Sequence, residues 1–200
     1  NRADGFIGYG LKKDEFVCEC SDIDDIIVFR KDAVCVVTKI QDKVFVGKDI
    51  LYAGVFKKGD ERMVYNMAYV DGKSGRTMAK RFQVLSVTRD REYELSKGGK
   101  GSKVHYFSAN PNGEAEVVTV YLTAASKARK KVFDFDFSEL EIKGRGAGGN
   151  ILTKYPVRKI QFKSAGVSTL GGLNIWYDPV VGRLNTDERG DKLGNFMADD

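Results

Sequence analysis

Residues 25–38 read Asp25-Ile26-Ile27-Val28-Phe29-Arg30-Lys31-Asp32-Ala33-Val34-Cys35-Val36-Val37-Thr38, in which two apolar, β-branched segments flank a charged pair. This pattern is typical of a β-hairpin whose turn contains Lys31 and Asp32. The segment from Ile26 to Phe29 hardly alternates between apolar and polar residues. Such a run indicates a strand buried on both faces, which requires sheets stacked on either side of it.

Short segments of the same kind recur along the chain, separated by turn clusters such as Asp71-Gly72-Lys73 and Asn110-Pro111-Asn112-Gly113. The alternation around Phe16, Cys18 and Cys20 predicts a further strand. Only residues 124–131 could form a helix, so the sequence predicts an all-β fold. The remaining predicted strands are Ile50–Phe56, Met63–Val70, Gln83–Thr88, Lys103–Phe107, Glu116–Leu122, Val132–Phe137, Ile151–Lys154, Arg158–Phe162 and Leu173–Tyr177.

A loose repeat organises these strands. Strands rich in aromatic or β-branched residues begin near Ile26, Val64, Val118 and Ile175. Periods of about 40–50 residues with about four strands each are those of propeller blades, and about four such units fit into the 200 residues. We therefore expect residues 1–200 to form a single propeller-like domain. A β-sandwich remains the alternative, because periodicity separates the two poorly.

Composition excludes several classes of protein. The chain is 42% hydrophobic and 30% charged, as in ordinary globular proteins. No apolar stretch approaches the roughly 18 residues of a membrane helix, so we expect no membrane segment. The 3 cysteines are an odd number, which argues against a disulfide framework and predicts a cytoplasmic location. The single histidine, His105, leaves little room for a catalytic triad or a histidine-based metal site.

Charge is distributed unevenly along the chain. Residues 62–163 carry 20 lysines and arginines against 10 carboxylates, whereas the segments before and after them are net acidic. A positive band of this kind attracts polyanions. Charge alone does not distinguish such a site from an ordinary solvated surface.

Two glycine motifs resemble nucleotide-binding loops without meeting their requirements. Residues 144–149 match G-x-G-x-x-G, but the segment that follows predicts a short strand instead of the helix that must face a pyrophosphate. Gly54 and Gly59 have the spacing of a phosphate-binding loop, but Asp60 and Glu61 stand where lysine and serine or threonine are needed. The sequence therefore predicts no nucleotide site.

The remaining reactive side chains favour structural roles. Cys18 and Cys20 fall on one face of the strand predicted there, so we expect them to pack inward beside Phe16. We expect His105 to be a hydrogen-bonded residue within a strand. Asp22, Asp24, Asp25, Asp134 and Asp136 could form carboxylate pairs, so a glycosidase is a third and minor hypothesis. We predict no catalytic residue and no metal site.

Basic residues grouped around glycines are the strongest candidates for a site. Glycines allow phosphate to approach the backbone closely, and flanking lysines and arginines neutralise it. If equivalent blades present equivalent loops, these side chains line one rim of the disc. The predicted DNA-binding residues are Lys73, Arg76, Lys80, Arg81, Lys97, Gly98, Gly99, Lys100, Gly101, Lys103, Lys143, Arg145, Lys154, Arg158, Lys159 and Lys163.

The chain resembles the C-terminal domain of the DNA-breaking A subunits of the bacterial type IIA topoisomerases, gyrase and topoisomerase IV, and especially the topoisomerase IV-like A subunits of Bacteroidetes. The likeness includes the run Ser108-Ala109-Asn110-Pro111-Asn112-Gly113-Glu114-Ala115-Glu116. It extends over nearly the whole chain. The other segments that carry it are Asp4–Phe16, Val87–Tyr93, Lys143–Arg145, Gly149–Lys154 and Ser168–Gly172.

This resemblance implies a β-pinwheel, a propeller variant in which blades exchange strands, with about four blades here and the last one incomplete. It also implies that duplex DNA bends around the basic outer edge. In gyrase a loop reading Gln-Arg-Arg-Gly-Gly-Lys-Gly is needed for wrapping. Residues 98–101 keep its Gly-Gly-Lys-Gly half, whereas Leu95-Ser96-Lys97 replaces the rest. We therefore expect a role in decatenation or relaxation ahead of supercoiling.

The resemblance further implies partners and cofactors. The domain would belong to a heterotetramer of topoisomerase A and B subunits, in contact with the rest of its own polypeptide. The DNA-cleaving tyrosine lies in that preceding part, and ATP is hydrolysed by the B subunits, so ATP and Mg²⁺ act elsewhere and this domain needs no cofactor. We expect the isolated domain to be a monomer. The alternative function is a propeller-type protein-interaction scaffold that does not bind DNA.

Overall fold

The computed structural model describes residues 1–11 and 14–196, and within them the fold is all-β, as predicted. The only helical element in that part of the chain is a 3₁₀ turn at Phe137–Glu139. The strands are β1 (Phe6–Ile7), β2 (Asp25–Arg30), β3 (Val34–Lys39), β4 (Val44–Phe45), β5 (Ile50–Phe56), β6 (Val64–Val70), β7 (Thr77–Gln83), β8 (Glu92–Glu94), β9 (Lys103–Asn110), β10 (Val117–Leu122), β11 (Val132–Asp136), β12 (Ile142–Gly144), β13 (Asn150–Thr153), β14 (Val157–Ser164), β15 (Leu173–Asp178), β16 (Arg183–Asn185) and β17 (Asp191–Phe196).

The strands form four sheets and a two-stranded ribbon. Sheet one has the order β5-β2-β3-β8, sheet two the order β9-β6-β7 with both β12 and β13 on β7, sheet three the order β14-β10-β11, and sheet four the order β17-β15-β16. The ribbon pairs β1 with β4. Among these strands all pairings are antiparallel except that of β12 with β7, and none of the sheets they form closes on itself.

Sheets one and two are each completed by a strand from later in the chain. β8 follows the β6–β7 hairpin of sheet two but returns to pair with β3 of sheet one. β13 follows the β10–β11 hairpin of sheet three but returns to pair with β7 of sheet two. Strand exchange therefore links consecutive sheets and places the returning strands at one edge. At the opposite edge, β9 of sheet two contacts β5 of sheet one and β14 of sheet three.

The predicted hairpin at residues 25–38 is confirmed as β2 and β3, with Val28 opposite Val36. The β2 strand is buried on both faces, as its weak alternation predicts. Ile27 and Phe29 belong to the core between sheets one and two, whereas Ile26 and Val28 face the ribbon side. The stacking continues beyond two layers, which excludes a simple two-sheet sandwich.

Aromatic side chains fill the core between sheets one and two. The ring of Phe29 lies 4.5 Å from that of Tyr65 and 4.6 Å from that of Phe107, measured between centroids. A second core between sheets two and three contains Val118, Val120 and Phe137. Sheet two therefore packs against a neighbour on each of its faces.

Sheet four is packed far less than the others. Trp176 is its buried large apolar side chain, whereas Leu173, Leu184 and Leu193 are each more than half exposed. Arg62, which precedes β6, connects this sheet to the rest of the fold by donating hydrogen bonds of 2.8 Å to the backbone and side-chain oxygens of Asn195.

Three secondary-structure predictions were wrong. The strand expected at residues 83–88 lies earlier, at β7, because Lys80 and Arg81 interrupt the apolar pattern of a buried strand. Residues 16–20 form no strand, and Phe16 and Cys20 are exposed instead of packing inward. Residues 124–131 form a loop between β10 and β11 instead of a helix, with Ser126 donating its backbone N–H to the carbonyl of Thr123.

Candidate functional site

The hairpin turns of sheets one, two and three lie next to one another along one end of the stacked sheets. These turns are residues 31–33, 71–76 and 123–131, and we call them, with the neighbouring segments 95–103 and 154–158, the turn rim. The backbone N–H of Val104 donates to the Lys31 carbonyl (2.8 Å), joining the ends of sheets one and two. The backbone N–H of Thr123 donates to the Pro156 carbonyl (3.0 Å), joining the end of sheet three to the segment that arrives from β13 of sheet two.

The first glycine loop, residues 97–101, packs directly on the turn between β6 and β7. The backbone N–H of Gly72 donates to Ser102 Oγ (3.0 Å), and Ser96 Oγ donates to the same oxygen (2.7 Å). A side chain at Gly98 would collide with this turn, because a Cβ atom there would lie 1.6 Å from Asp71 Oδ1 and 2.7 Å from the backbone nitrogen of Gly72. The close packing therefore requires glycine at this position, and it brings the exposed Lys97, Lys100 and Lys103 beside Lys73 and Arg76.

The second glycine loop, residues 144–149, lies against the first. Its Gly148 faces the aliphatic part of Lys97, since a Cβ atom built on that glycine would lie 3.7 Å from Lys97 Cδ. The guanidinium of Arg145 stacks on the ring of Tyr93 in β8, 4.1 Å from its centroid. As expected, this loop leads into strand β13 and not into a helix, which removes the structural basis for dinucleotide binding.

Lys80 is among the predicted DNA contacts, but it is buried, with 2% of its surface exposed. Its ammonium donates to the carbonyl oxygens of Leu95, Arg145 (2.8 Å) and Ala147 (3.1 Å) and lies 4.4 Å from the Phe82 ring centroid. Burial lowers the pKa of Lys80 to about 7. A fully enclosed ammonium cannot neutralise a phosphate directly, so this assignment is corrected to a structural one.

Arg81 is corrected for the same reason, because it too is 2% exposed. Its guanidinium donates to Asn66 Oδ1 (3.1 Å), the Gly113 carbonyl (2.9 Å) and Thr169 Oγ1 (3.1 Å). Asn66 in turn donates to the buried carboxylate of Glu116 (2.7 Å). The side chain therefore joins sheet two to the segments before β10 and β15 instead of facing solvent.

The later predicted cations divide between the two ends of sheet three. Lys154 is exposed and follows Thr153, which pairs with Thr77, so it lies beside Arg76 on the turn rim. Near the same end, Arg158 and Lys159 lie 6.0 Å and 4.6 Å from the Tyr121 ring centroid. Lys163 lies towards the other end of β14 and forms a salt bridge with Asp134. Lys163 therefore does not lie on the turn rim, and its assignment as a DNA contact there is corrected.

A basic cluster that sequence reasoning missed lies in the loop between β10 and β11. Lys127, Arg129, Lys130 and Lys131 are exposed there. In the sequence they are four cations within five residues, in the segment that could form a short helix. Arg91 lies 5.4 Å from the Tyr93 ring centroid, next to strand β8.

The turn rim carries many lysines and arginines and few carboxylates that could neutralise them. Between described residues, Lys163 is the only predicted cation that forms a salt bridge with a carboxylate. Burial, together with the charges of Lys103 and Lys31, lowers the pKa of His105. Lys143 is half-buried and donates to Asn150 Oδ1 (3.2 Å).

The other chemical candidates do not assemble into sites. Asp134 is engaged by Lys163 and by Thr119, whose hydroxyl lies 2.8 Å away, and Asp25 pairs with Arg89. Cys35 is buried, and burial raises its pKa to about 12, which disfavours a reactive thiolate. No group of His, Cys, Asp and Glu in residues 1–11 and 14–196 has the arrangement of a metal site. No described helix is long and apolar enough to span a membrane.

Comparison with known proteins supports one family. The family model of the topoisomerase C-terminal domain of Bacteroidota matches residues 1–164. The A subunit of DNA topoisomerase 4 from Borreliella burgdorferi is 26% identical over 164 residues, which is 82% of this chain and 24% of that protein. The chain thus spans about a quarter of the length of this relative. The chain belongs to the family of bacterial topoisomerase C-terminal domains.

Proposed function

We propose that this domain binds and bends duplex DNA, with little regard to sequence, as the C-terminal module of a type IIA topoisomerase A subunit. The observation that carries the proposal is the turn rim. It brings Lys73, Arg76, Lys97, Lys100 and Lys103 together with the basic loop 127–131 along three consecutive sheets. A continuous positive surface built from several sheets matches a long polyanion better than a small ligand.

Contacts between such a surface and DNA phosphates can offset the free energy that bending the duplex costs. Bending a site of 20–30 base pairs by 40–90° costs roughly 1–6 kcal/mol. Each phosphate neutralised releases condensed counterions, and the logarithm of the binding constant then falls with the logarithm of salt concentration at about −0.9 per contact. Lysine and arginine contacts of this kind position the backbone and carry no sequence information.

Within the parent enzyme the domain would hold or orient the DNA segment that passes through the break. Its partners would be the DNA-cleaving part of the same polypeptide and the ATP-hydrolysing B subunits, and ATP and Mg²⁺ would act in those parts. We propose a β-pinwheel fold, supported by the strands exchanged between sheets. We further propose a cytoplasmic, nucleoid-associated protein that favours decatenation or relaxation over supercoiling, and a monomeric isolated domain.

Titration of labelled duplex DNA at rising salt concentration tests the binding. The triple charge reversal Lys97→Glu, Lys100→Glu and Lys103→Glu should weaken affinity and reduce the salt slope by about 3, one for each lost phosphate contact. The matched control reverses Lys39, Lys57 and Lys58, which are exposed at the opposite end of sheet one. Affinity that responds equally to both triple variants, or not at all to salt, would contradict the proposal.

Wrapping is tested by ligating nicked plasmid in the presence of the domain. A change in linking number that grows with the ratio of domain to plasmid is expected if DNA wraps around the rim with one handedness. The triple variant should abolish this change. Binding without any change in linking number would contradict wrapping of the DNA around the rim with a fixed handedness.

A protein-interaction scaffold is the second candidate, favoured by the exposed apolar side chains of sheet four. This sheet packs little against the others and exposes apolar side chains that could contact a partner. They are Leu173, Val180, Val181, Leu184 and Leu193. This candidate predicts no salt-dependent DNA affinity. The DNA titration above therefore separates the two functions.

A further inference from the structure

The strongest unexplained feature is the buried ammonium of Lys80. Lys80 lies in β7 between the positions that pair with β13, at Ala79, and with β12, at Arg81. Its three N–H donors meet three backbone carbonyls, so the ammonium is fully satisfied although it is removed from water. Lysines are almost never fully buried without such compensation, because an unpaired charge in the interior is costly.

The three carbonyls belong to both glycine loops. Leu95 lies just before the first loop and follows β8 of sheet one, whereas Arg145 and Ala147 lie within the second loop, which follows β12 of sheet two. One side chain therefore connects two segments that are distant in sequence and attached to different sheets. The second loop has one further anchor, the N–H of Gly149, which donates to the hydroxyl of Tyr69 (3.1 Å).

We propose that Lys80 is a positioning residue that holds the two glycine loops together, so that Lys97 and Arg145 meet the same DNA backbone as one surface. The inference rests on the proposed DNA binding. The geometry that supports it is the contact of Lys97 with Gly148 and the stacking of Arg145 on Tyr93, which both depend on where the loop backbones lie. Lys80 itself does not touch the ligand.

Hydrogen exchange of the free protein tests the first half of this proposal without DNA. Lys80→Met removes all three donors. At a pH below 7, where Lys80 is charged, exchange of the hydrogen-bonded amides of Leu95 and Ser102 beside the first loop, and of Ala147 and Gly149 in the second, should accelerate by about tenfold or more, because hydrogen bonds from a charged group are lost. Tyr69→Phe should accelerate exchange only in the second loop. The amides of β2 and β6, in the aromatic core, serve as the internal control and should keep their protection.

DNA titration of the same variants tests the second half. Lys80→Met should lower the salt slope by about 2, because Lys97 and Arg145 no longer act at fixed positions, although no surface charge was removed. The effect of Lys97→Ala on affinity should be smaller in the Lys80→Met protein than in the unaltered one, since one residue acts through the other. Lys73→Met, which removes an exposed lysine from the adjacent turn, is the matched control and should lower the slope by about 1.

The outcomes separate this proposal from the proposed function. If the unaltered domain does not bind DNA, the proposed function is refuted and the positioning role with it. Hydrogen exchange would still show whether Lys80 connects the two loops. If Lys80→Met accelerates exchange in the loops but leaves the salt slope of DNA binding unchanged, the positioning role alone is refuted. Uniform loss of protection, core amides included, would reduce Lys80 to a general stabilising residue. Should Lys80→Met not fold, Lys80→Gln must give the same loop-specific pattern.

Discussion

At the scale of single residues, strand β7 buries two neighbouring cations, Lys80 and Arg81, each about 2% exposed. Lys80 and Arg81 are adjacent in the strand and so point to opposite faces, and each is satisfied by backbone or amide oxygens. Their charges made them candidates for phosphate binding, but their burial gives them structural roles.

Substitution of Arg81 should destabilise the protein without weakening its intrinsic DNA affinity. Arg81→Met leaves the buried Asn66 Oδ1 without its donor and removes one of the donors to the Gly113 carbonyl, and we expect the free energy of unfolding to fall by about 2–4 kcal/mol. Arg76→Met, on the exposed turn, should change it by no more than about 0.5 kcal/mol but should weaken DNA binding. Urea unfolding and DNA titration of both variants check this, and the reverse pattern would contradict it.

Lys80 should make stability dependent on pH. Its pKa is about 7 in the folded protein, against an ordinary value of 10.5, so between these values the unfolded chain binds more protons. The free energy of unfolding should therefore rise with pH across this window, by at most about 1.4 kcal/mol per pH unit from this group.

The measurement is the difference in unfolding free energy between the unaltered protein and Lys80→Met at pH 6.5, 8 and 9.5 (roughly spanning the window). Taking the difference removes the contributions of other titrating groups. The titratable group that acts electrostatically on Lys80 is Cys35, whose pKa of about 12 lies above the window. A difference that is independent of pH would show that Lys80 does not titrate there.

At the scale of elements, loops and turns decide the candidate surface. The glycine loops can be recognised from sequence, whereas the alanines and lysines of residues 124–131 are also compatible with a short helix. In the structure Leu122 and Lys131 are joined by a backbone hydrogen bond of 2.8 Å, and the intervening residues form a largely exposed hairpin connection. That connection adds four cations to the rim.

Charge reversal in this loop should weaken DNA binding. Lys127→Glu, Arg129→Glu and Lys130→Glu together should reduce the salt slope by about 3, like the triple variant in the first glycine loop. The loop is exposed and carries little of the core, so the stability of the protein should stay nearly unchanged. The measurement is titration of duplex DNA at several salt concentrations, with the triple variant of Lys39, Lys57 and Lys58 as the control. A slope equal to that of the control would remove this loop from the interface.

At the scale of the whole molecule, stability resides in the first three sheets and the ribbon. All three hydrophobic clusters consist of residues between Ile26 and Ile160, together with partly buried neighbours from Ile7 onwards. Sheet four contributes few buried side chains and is joined to the rest through Arg62 and Asn195. This distribution agrees with the family match, which covers residues 1–164.

Removal of residues 172–196 should therefore be tolerated. We expect the shortened chain to fold, to bind DNA with the affinity of the longer one, and to lose less stability than Phe29→Ala, which should cost about 3–5 kcal/mol. Thr169, which accepts a hydrogen bond from Arg81, remains in the shortened chain. Chemical unfolding of the two proteins provides the comparison. A shortened chain less stable than Phe29→Ala would place sheet four within the cooperative core.

The sequence by itself determined the all-β class, the hairpin at residues 25–38 and the presence of basic glycine loops. These features are local, because strand periodicity, turn residues and charge can be recognised without knowing what packs against them. Only the tertiary structure decided that β8 and β13 return to earlier sheets, that Lys80 and Arg81 are buried, and that three hairpin turns form one rim. Burial and adjacency depend on contacts between residues far apart in the chain, and a lysine has the same identity in the sequence whether its ammonium meets water or three carbonyls.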